Sequence, residues 1–458
     1  DDVHRAKARL EACLRKLRPG DYGLRAKLLI EAGEADRARD LFALYAAKRL
    51  RTRHGVSTVV SDVTEAFPHD AALAAWVKAL ASGYDSVARG RSMQGAKLGS
   101  APMETESALM GAERNYLAAL RAMERQTHEG FLEARRIVET WAPRARDELE
   151  LKLRMKLLLQ QTYVLADQRD EALRIEAELE AELLERSAFD RDAADLLQIQ
   201  NRRAVSVHPP EVAQVRVERA VQYFAREKGR RPVALYRALT NHVGVLTQLG
   251  RYEDAFSEGG LAEALVLEDA AGAFPRRDVL AHNMAIAGLR SGQTDPLEAV
   301  RRQTSVVESA DGEEDDFLQR CNLAAFELLS GDLDSGSQRA DRLCEEIDQE
   351  GLTESFLVYY ARTVQIAAVY LAGRMSQARS MHESFAPYVA GLNWTSAPYI
   401  KRRHQLWGEV LREGGAPERD TAALDLYVVS ARPLEIGPCW NHYGRFIPCV
   451  ELSFWLDS

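Results

Sequence analysis

Residues 239–265 read LTNHVGVLTQLGRYEDAFSEGGLAEAL. Apolar residues recur at helical spacing up to Leu249, a polar turn follows at Gly250-Arg251, and a second run opens on the acidic pair Glu253-Asp254. Two helices joined by a tight turn are the natural reading, because acidic residues favour a helix start and glycine favours a helix end. The pattern repeats along the chain. Turn glycines recur at Gly292, Gly331 and Gly373, at intervals of 42, 39 and 42 residues, and Gly414 lies 41 further on. Counting 42 residues back from Gly250 reaches His208-Pro209-Pro210, a turn by its chemistry, and another 42 reaches Ala166-Asp167. A near-constant period of this size belongs to a helical-hairpin repeat.

The second helix of a unit carries a small residue five positions after its turn, at Ala38, Ala134, Ala172, Ala255, Gly336 and Ala378. Two antiparallel helices need such a residue where their axes come closest. Leu297 takes this place in the unit of Gly292. Strand patterns are nearly absent, and runs such as ELELKLRMKLLLQQTYVLA (148–166) are rich in strong helix formers.

In 239–265, Gly250, Tyr252, Ala255 and Ala262 stand at the turn-glycine, aromatic and two small positions of a tetratricopeptide repeat, which the unit resembles; Gly33, Ala38 and Phe42 match in the first unit. The period of about 41 exceeds that family's 34. It is similar to the longer repeats in the sensor regions of bacterial signal-transducing (STAND) ATPases, including those that detect phage proteins and those that control transcription. The resemblance implies an all-α, right-handed α-solenoid that binds a protein or peptide on its concave face. It also implies an effector or ATPase, on the same gene product or on another chain, as partner. The expected organisation is N-terminal helical repeats over 1–82, an inserted loop over 83–112, a repeat array over 113–425 and an aromatic-rich cap over 426–458. In that cap Val450, Leu452 and Phe454 alternate as in a short strand or hairpin, and Trp394, Trp407, Trp440 and Trp455, all within the last 65 residues, would seal the exposed repeat end.

Composition limits the function. At 458 residues, with 46% hydrophobic and 28% charged residues, 29 glycines and 15 prolines, the chain reads as globular and soluble. No apolar run is long enough to span a bilayer, no leader pattern is visible, and the start at Asp1 without Met suggests a trimmed piece. Five scattered cysteines point to a reducing cytoplasm, and a net charge of -9 argues against general nucleic-acid binding.

Catalytic motifs fail on inspection. Gly90-x4-Gly95 is followed by Ala96-Lys97, without the Gly-Lys-Ser/Thr of a phosphate loop. Cys439, His442 and Cys449 offer three ligands where a structural zinc site takes four. His128-Glu129 lacks the second histidine of a zinc protease. The expectation is therefore no enzyme, no cofactor and no metal, with an enzyme site in 83–112 and a peptide-gated regulator as alternatives. The basic clusters 48–54, 228–232 and 399–404 read as solvated helix ends, and the acidic run 311–316 as the start of a helix. The candidate partner-binding residues are Asn241, His282, Asn322 and Gln365, at comparable places before successive turns, together with Arg89, Arg91 and Lys97 in the insertion. The competing role for the first four is hydrogen bonding between repeats.

Overall fold

A computed structural model describes residues 2–17, 22–51, 56–89, 107–124, 128–145, 149–165, 168–188, 191–206 and 208–226. It continues over 232–267, 277–309, 315–350, 356–392 and 397–413. Every regular element among these residues is helical. The first eight helices are α1 (Asp2–Lys16), α2 (Tyr22–Glu31), α3 (Ala35–Arg51), α4 (Val56–Ala66), α5 (Ala71–Arg89), α6 (Ala108–Glu124), α7 (His128–Trp141) and α8 (Leu149–Leu165). They are followed by α9 (Arg169–Ser187), α10 (Arg191–Arg202), α11 (Pro210–Arg226), α12 (Pro232–Gln248), α13 (Tyr252–Leu267) and α14 (Arg277–Ser291). The last six are α15 (Pro296–Ser309), α16 (Asp315–Ser330), α17 (Leu333–Glu350), α18 (Phe356–Leu371), α19 (Met375–Gly391) and α20 (Ala397–Glu413).

The chain forms two compact units, one built on Asp1–Glu124 with Leu132–Leu159, the other on Gln160–Phe454 with Arg125–Phe131. At the ends of the expected insertion, residues 83–89 complete α5 and 108–112 open α6, while 90–106 lie outside the described residues. The expected strand or hairpin cap over 426–458 also lies outside them.

In the first unit α2 and α3 pair across Gly33, and their buried face joins Leu29 and Ala38 to Leu14 of α1. Arg39 of α3 reaches Asp70 at 2.6 Å. Asp70 also caps α5, accepting from the Leu73 N–H at 2.8 Å. Burial opposes ionisation of this carboxyl, but the Arg39 and backbone hydrogen bonds outweigh it and hold its pKa below the usual value.

The second unit is a run of hairpins in which each helix packs on the next in sequence, and α12 also packs on α14, and α16 on α18. Its turns share one geometry. Gly250, Gly292, Gly331 and Gly373, like Gly33 in the first unit, have φ between 71° and 96°. Around Gly250, the glycine N–H bonds to the Thr247 carbonyl and the Arg251 N–H to the Leu246 carbonyl. That pair of bonds closes the end of a helix and satisfies carbonyls that have no partner within it. The bond from the Gln168 N–H to the Tyr163 carbonyl repeats the wider of the two ahead of α9.

The small residues are enclosed in the packed interior. Ala38, Ala134, Ala172, Ala255 and Ala378 are fully buried, and a Cβ on Gly336 would come within 2.8 Å of the Leu328 side chain. Leu297 does not occupy this place: it is 63% exposed, and Ala299, fully buried, takes the role two residues later. The cause is a longer turn after Gly292. Gln293 and Thr294 both donate to the Gly288 carbonyl, so the next helix starts at Pro296.

Two glycine substitutions should act with opposite signs. A Cβ on Gly250 would meet no atom within 4 Å, but its positive φ disfavours any L side chain, so Gly250→Ala is expected to cost about 1–2 kcal/mol. Gly260, inside α13, also has open space around it, and Gly260→Ala should stabilise by about 0.5–1 kcal/mol through helix propensity. Chemical denaturation midpoints of the two variants, moving in opposite directions, check both.

Candidate functional site: a buried polar seam

Charged and amide side chains are drawn into the interior of the second unit, and the densest group centres on Glu176. In α9 the apolar stripe runs through Ala172, Ile175, Leu179 and Leu183. Glu176 follows Ala172 by one helical turn, so it shares the buried face. Its side chain is almost completely enclosed and accepts hydrogen bonds from Gln160 Nε2 at 3.2 Å, from His208 Nε2 at 2.8 Å and from Arg216 Nη1. Arg216 also bridges to Glu180 through Nη2. The Glu176 backbone carbonyl accepts from Gln200 Nε2 at 3.0 Å, and nearby Arg203 Nη2 donates to Gln161 Oε1 at 3.0 Å.

The partners come from α8, α10, α11 and the turn at His208-Pro209-Pro210. Pro210 opens α11, a position that needs no backbone N–H. A carboxylate that accepts from the 2.8 Å imidazole nitrogen requires the proton on Nε2, which fixes the His208 tautomer. Glu176 engages a guanidinium, an imidazole and an amide together. This makes it a clamp between successive repeats, with little acceptor capacity left for proton abstraction from a substrate.

The candidate residues inferred from sequence fall on or near the same interior. Asn241 is buried in α12 and its Nδ2 donates to the Arg202 carbonyl at 3.0 Å, a bond between repeats. His282 is buried in α14, its ring 5.8 Å from that of Phe326. Asn322 is buried in α16. Gln365 is half-buried on α18 and donates to Asp341 Oδ1 at 2.7 Å. Arg89 is the last residue of α5, while Arg91 and Lys97 lie outside the described residues. Cys439, His442 and Cys449 also lie outside them, and among the described residues no group of three or more His, Cys, Asp or Glu is placed to hold a metal.

Asp315 and Asp316, the end of the acidic run, form the first turn of α16 as expected. Buried Cys344 has its thiol pushed up to about 12 by desolvation, and Cys321 is raised further by its burial, so neither is a ready nucleophile. Among the described residues, no helix is long and apolar enough to cross a membrane.

Sequence reading missed the clamp itself. One signal could have found it: of the many glutamates in α9, Glu176 is the one a single turn beyond the small crossing residue. His208 was visible only as part of a turn. Its pairing with a carboxylate 32 residues earlier depends on how hairpins stack.

Burial lowers the pKa of His282 to about 4, against a hydrogen bond to Gln303 that raises it. As pH falls below about 6.5 the unfolded imidazole takes up a proton that the folded one refuses, so stability declines until about pH 4. His404, held near 4 by burial and by the adjacent His382, contributes in the same direction. Denaturant midpoints measured across this range should fall with pH, and His282→Asn should flatten the slope in part.

No protein-family model matches the chain, and no curated protein matches it in sequence.

Proposed function

We propose that this chain is a protein-binding repeat module, a sensor or scaffold, whose second unit forms a right-handed superhelical array and presents its first-helix side to a protein ligand. The observation that carries this reading is the recurrence of one hairpin geometry at Gly250, Gly292, Gly331 and Gly373, with α12 on α14 and α16 on α18. Stacked hairpins of this kind generate an extended concave surface suited to a macromolecular ligand. A folded protein captured over a large area could shift the module between two arrangements, provided it binds one of them more tightly. Bacterial signalling or antiviral defence is the setting that the repeat length suggests.

A pull-down from native cells with the full chain tests the reading. The recovered protein should then bind the purified chain directly and bind the Gln365→Arg variant at least about tenfold more weakly, a loss of about 1.4 kcal/mol. Recovery of small molecules alone, or turnover by the chain itself, would replace this reading with the regulator or enzyme alternatives.

A further inference from the structure

His242 of α12 stands between two carboxylates carried by the helices packed on either side of it. Its Nε2 lies 3.7 Å from Glu218 Oε1 on α11, and its Nδ1 lies 3.6 Å from Glu258 Oε2 on α13. The sequence of each helix puts the carboxylate there. Glu218 adjoins the buried row Ala213, Val217 and Ala220, and Glu258 adjoins the row Ala255, Gly259 and Ala262. A residue at the edge of an apolar face reaches over the neighbouring helix and still meets water. Accordingly the Glu218 and Glu258 side chains are 41% and 27% exposed, whereas that of His242 is 8% exposed.

This arrangement is one proton short of full hydrogen bonding. A neutral imidazole has one N–H and one lone pair, whereas a carboxylate only accepts. In either tautomer, one ring nitrogen therefore faces a carboxylate oxygen with no hydrogen between them. Both separations exceed the charge-assisted N–H···O distance of about 2.7–2.9 Å. Neither ring nitrogen has a hydrogen-bond partner, nor has Glu258 Oε2, although all three atoms are enclosed. Imidazolium has two N–H groups, one for each carboxylate. A single proton from solvent would satisfy all three atoms once α11 and α13 each close in by less than about 1 Å. His208 shows the closed distance at one nitrogen, 2.8 Å from Glu176.

The other charged groups around α12 are engaged elsewhere. On α11 Arg216 is held by Glu176 and Glu180, and on α13 Asp254 pairs with Arg251 and Glu263 with Arg302. Arg202 ends α10, which meets α12 at Asn241, and Arg203 of the following 3₁₀ turn donates to Gln161. His282 of α14 bonds to Gln303 of α15, and a Cβ on Gly244 would have Asn283 as its neighbour there. Among the described residues, Glu218 and Glu258 are the only carboxylates within 4 Å of the His242 nitrogens.

We propose that His242 is a proton-operated lock between successive hairpins. α11 ends the hairpin that turns at His208-Pro209-Pro210, while α12 and α13 form the one that turns at Gly250. The Glu218 bond therefore crosses a hairpin boundary, and the Glu258 bond closes a hairpin. Imidazolium draws both carboxylates onto α12, and loss of the proton releases one of them. The curvature of a solenoid follows from the small rotation between repeats, so the charge on this one ring adjusts the concave face. Its consequence for ligand binding rests on the proposed function, but the lock itself needs no ligand.

Hydrogen exchange on the full chain at pH 5.5 and pH 8, either side of the ordinary imidazole value of about 6.5, tests the lock. With intrinsic exchange rates corrected for pH, amides of α11 and α13 should be at least about threefold better protected at the lower pH, relative to His242→Gln treated in the same way. Referring the parent to that variant removes the contributions of His282 and His404, which act in the opposite direction. Glu258→Gln offers an N–H to an unprotonated ring nitrogen, so the response should vanish from α13 and persist in α11. Nitrogen-15 spectra of histidine-labelled parent chain should show two N–H groups on the His242 ring at the lower pH and one at the higher.

An equal response in His242→Gln, no response in the parent, or a ring with a single N–H at both pH values would overturn the inference. These experiments use the chain alone. A failed pull-down with the response intact rejects the proposed function and leaves the lock, and the reverse result does the opposite.

Discussion

Glu176→Ala is expected to lower the unfolding free energy by about 3–5 kcal/mol, because it strips the anionic partner from Arg216 and His208 at a buried position. The cost is dominated by what is left behind. Arg216 keeps Glu180 but loses the carboxylate on its other nitrogen, and Gln160 loses its acceptor. Glu176→Gln should cost less, since an amide oxygen still accepts one of these bonds while the charge is gone. Combining Glu176→Ala with Arg216→Met should cost less than the two single effects added together, because no orphaned cation remains; contacting residues commonly show such coupling at about 0.5–3 kcal/mol. Denaturant titration of the parent, Glu176→Ala, Glu176→Gln, Arg216→Met and the double variant measures these differences. An unchanged midpoint for Glu176→Ala would mean that the clamp does not hold the repeats together.

Ala255→Trp is expected to destabilise by about 1–3 kcal/mol or more, because Ala255 is fully buried where α13 crosses α12 and an indole cannot be accommodated there without moving a helix. Leu261, on the exposed side of the same helix, provides the control. Leu261→Trp should remain within about 0.5 kcal/mol of the parent, as surface substitutions generally do. Thermal denaturation compares the two. Equal melting temperatures would remove Ala255 from the helix crossing.

The hairpins were legible because their requirements are local. A positive φ at the end of a helix favours glycine, so Gly250, Gly292, Gly331 and Gly373 mark the turns in the sequence itself. The crossing alanines were legible for a steric reason of equally short range. The unit of Gly292 shows where that rule stops. Two residues added to the turn shift the crossing from Leu297 to Ala299, and counting a fixed distance from the glycine cannot register them.

The partner-facing candidates show the same limit. Asn241, His282, Asn322 and Gln365 were chosen by their place before a turn, which identifies the first helix. Whether each faces solvent or a neighbouring repeat depends on the stacking, and the structure gives Asn241 to the Arg202 carbonyl. Glu176, His208 and Arg216 are separated by 32 and 8 residues along the chain and meet only when two successive hairpins are assembled. The sequence by itself determined helix class, hairpin period and the identity of the turn and crossing residues, because each follows from dihedral preference and side-chain volume within a few residues. Only the tertiary structure decided which polar side chains are enclosed and with whom they pair, because burial is a property of the packed neighbours and is carried by no single segment.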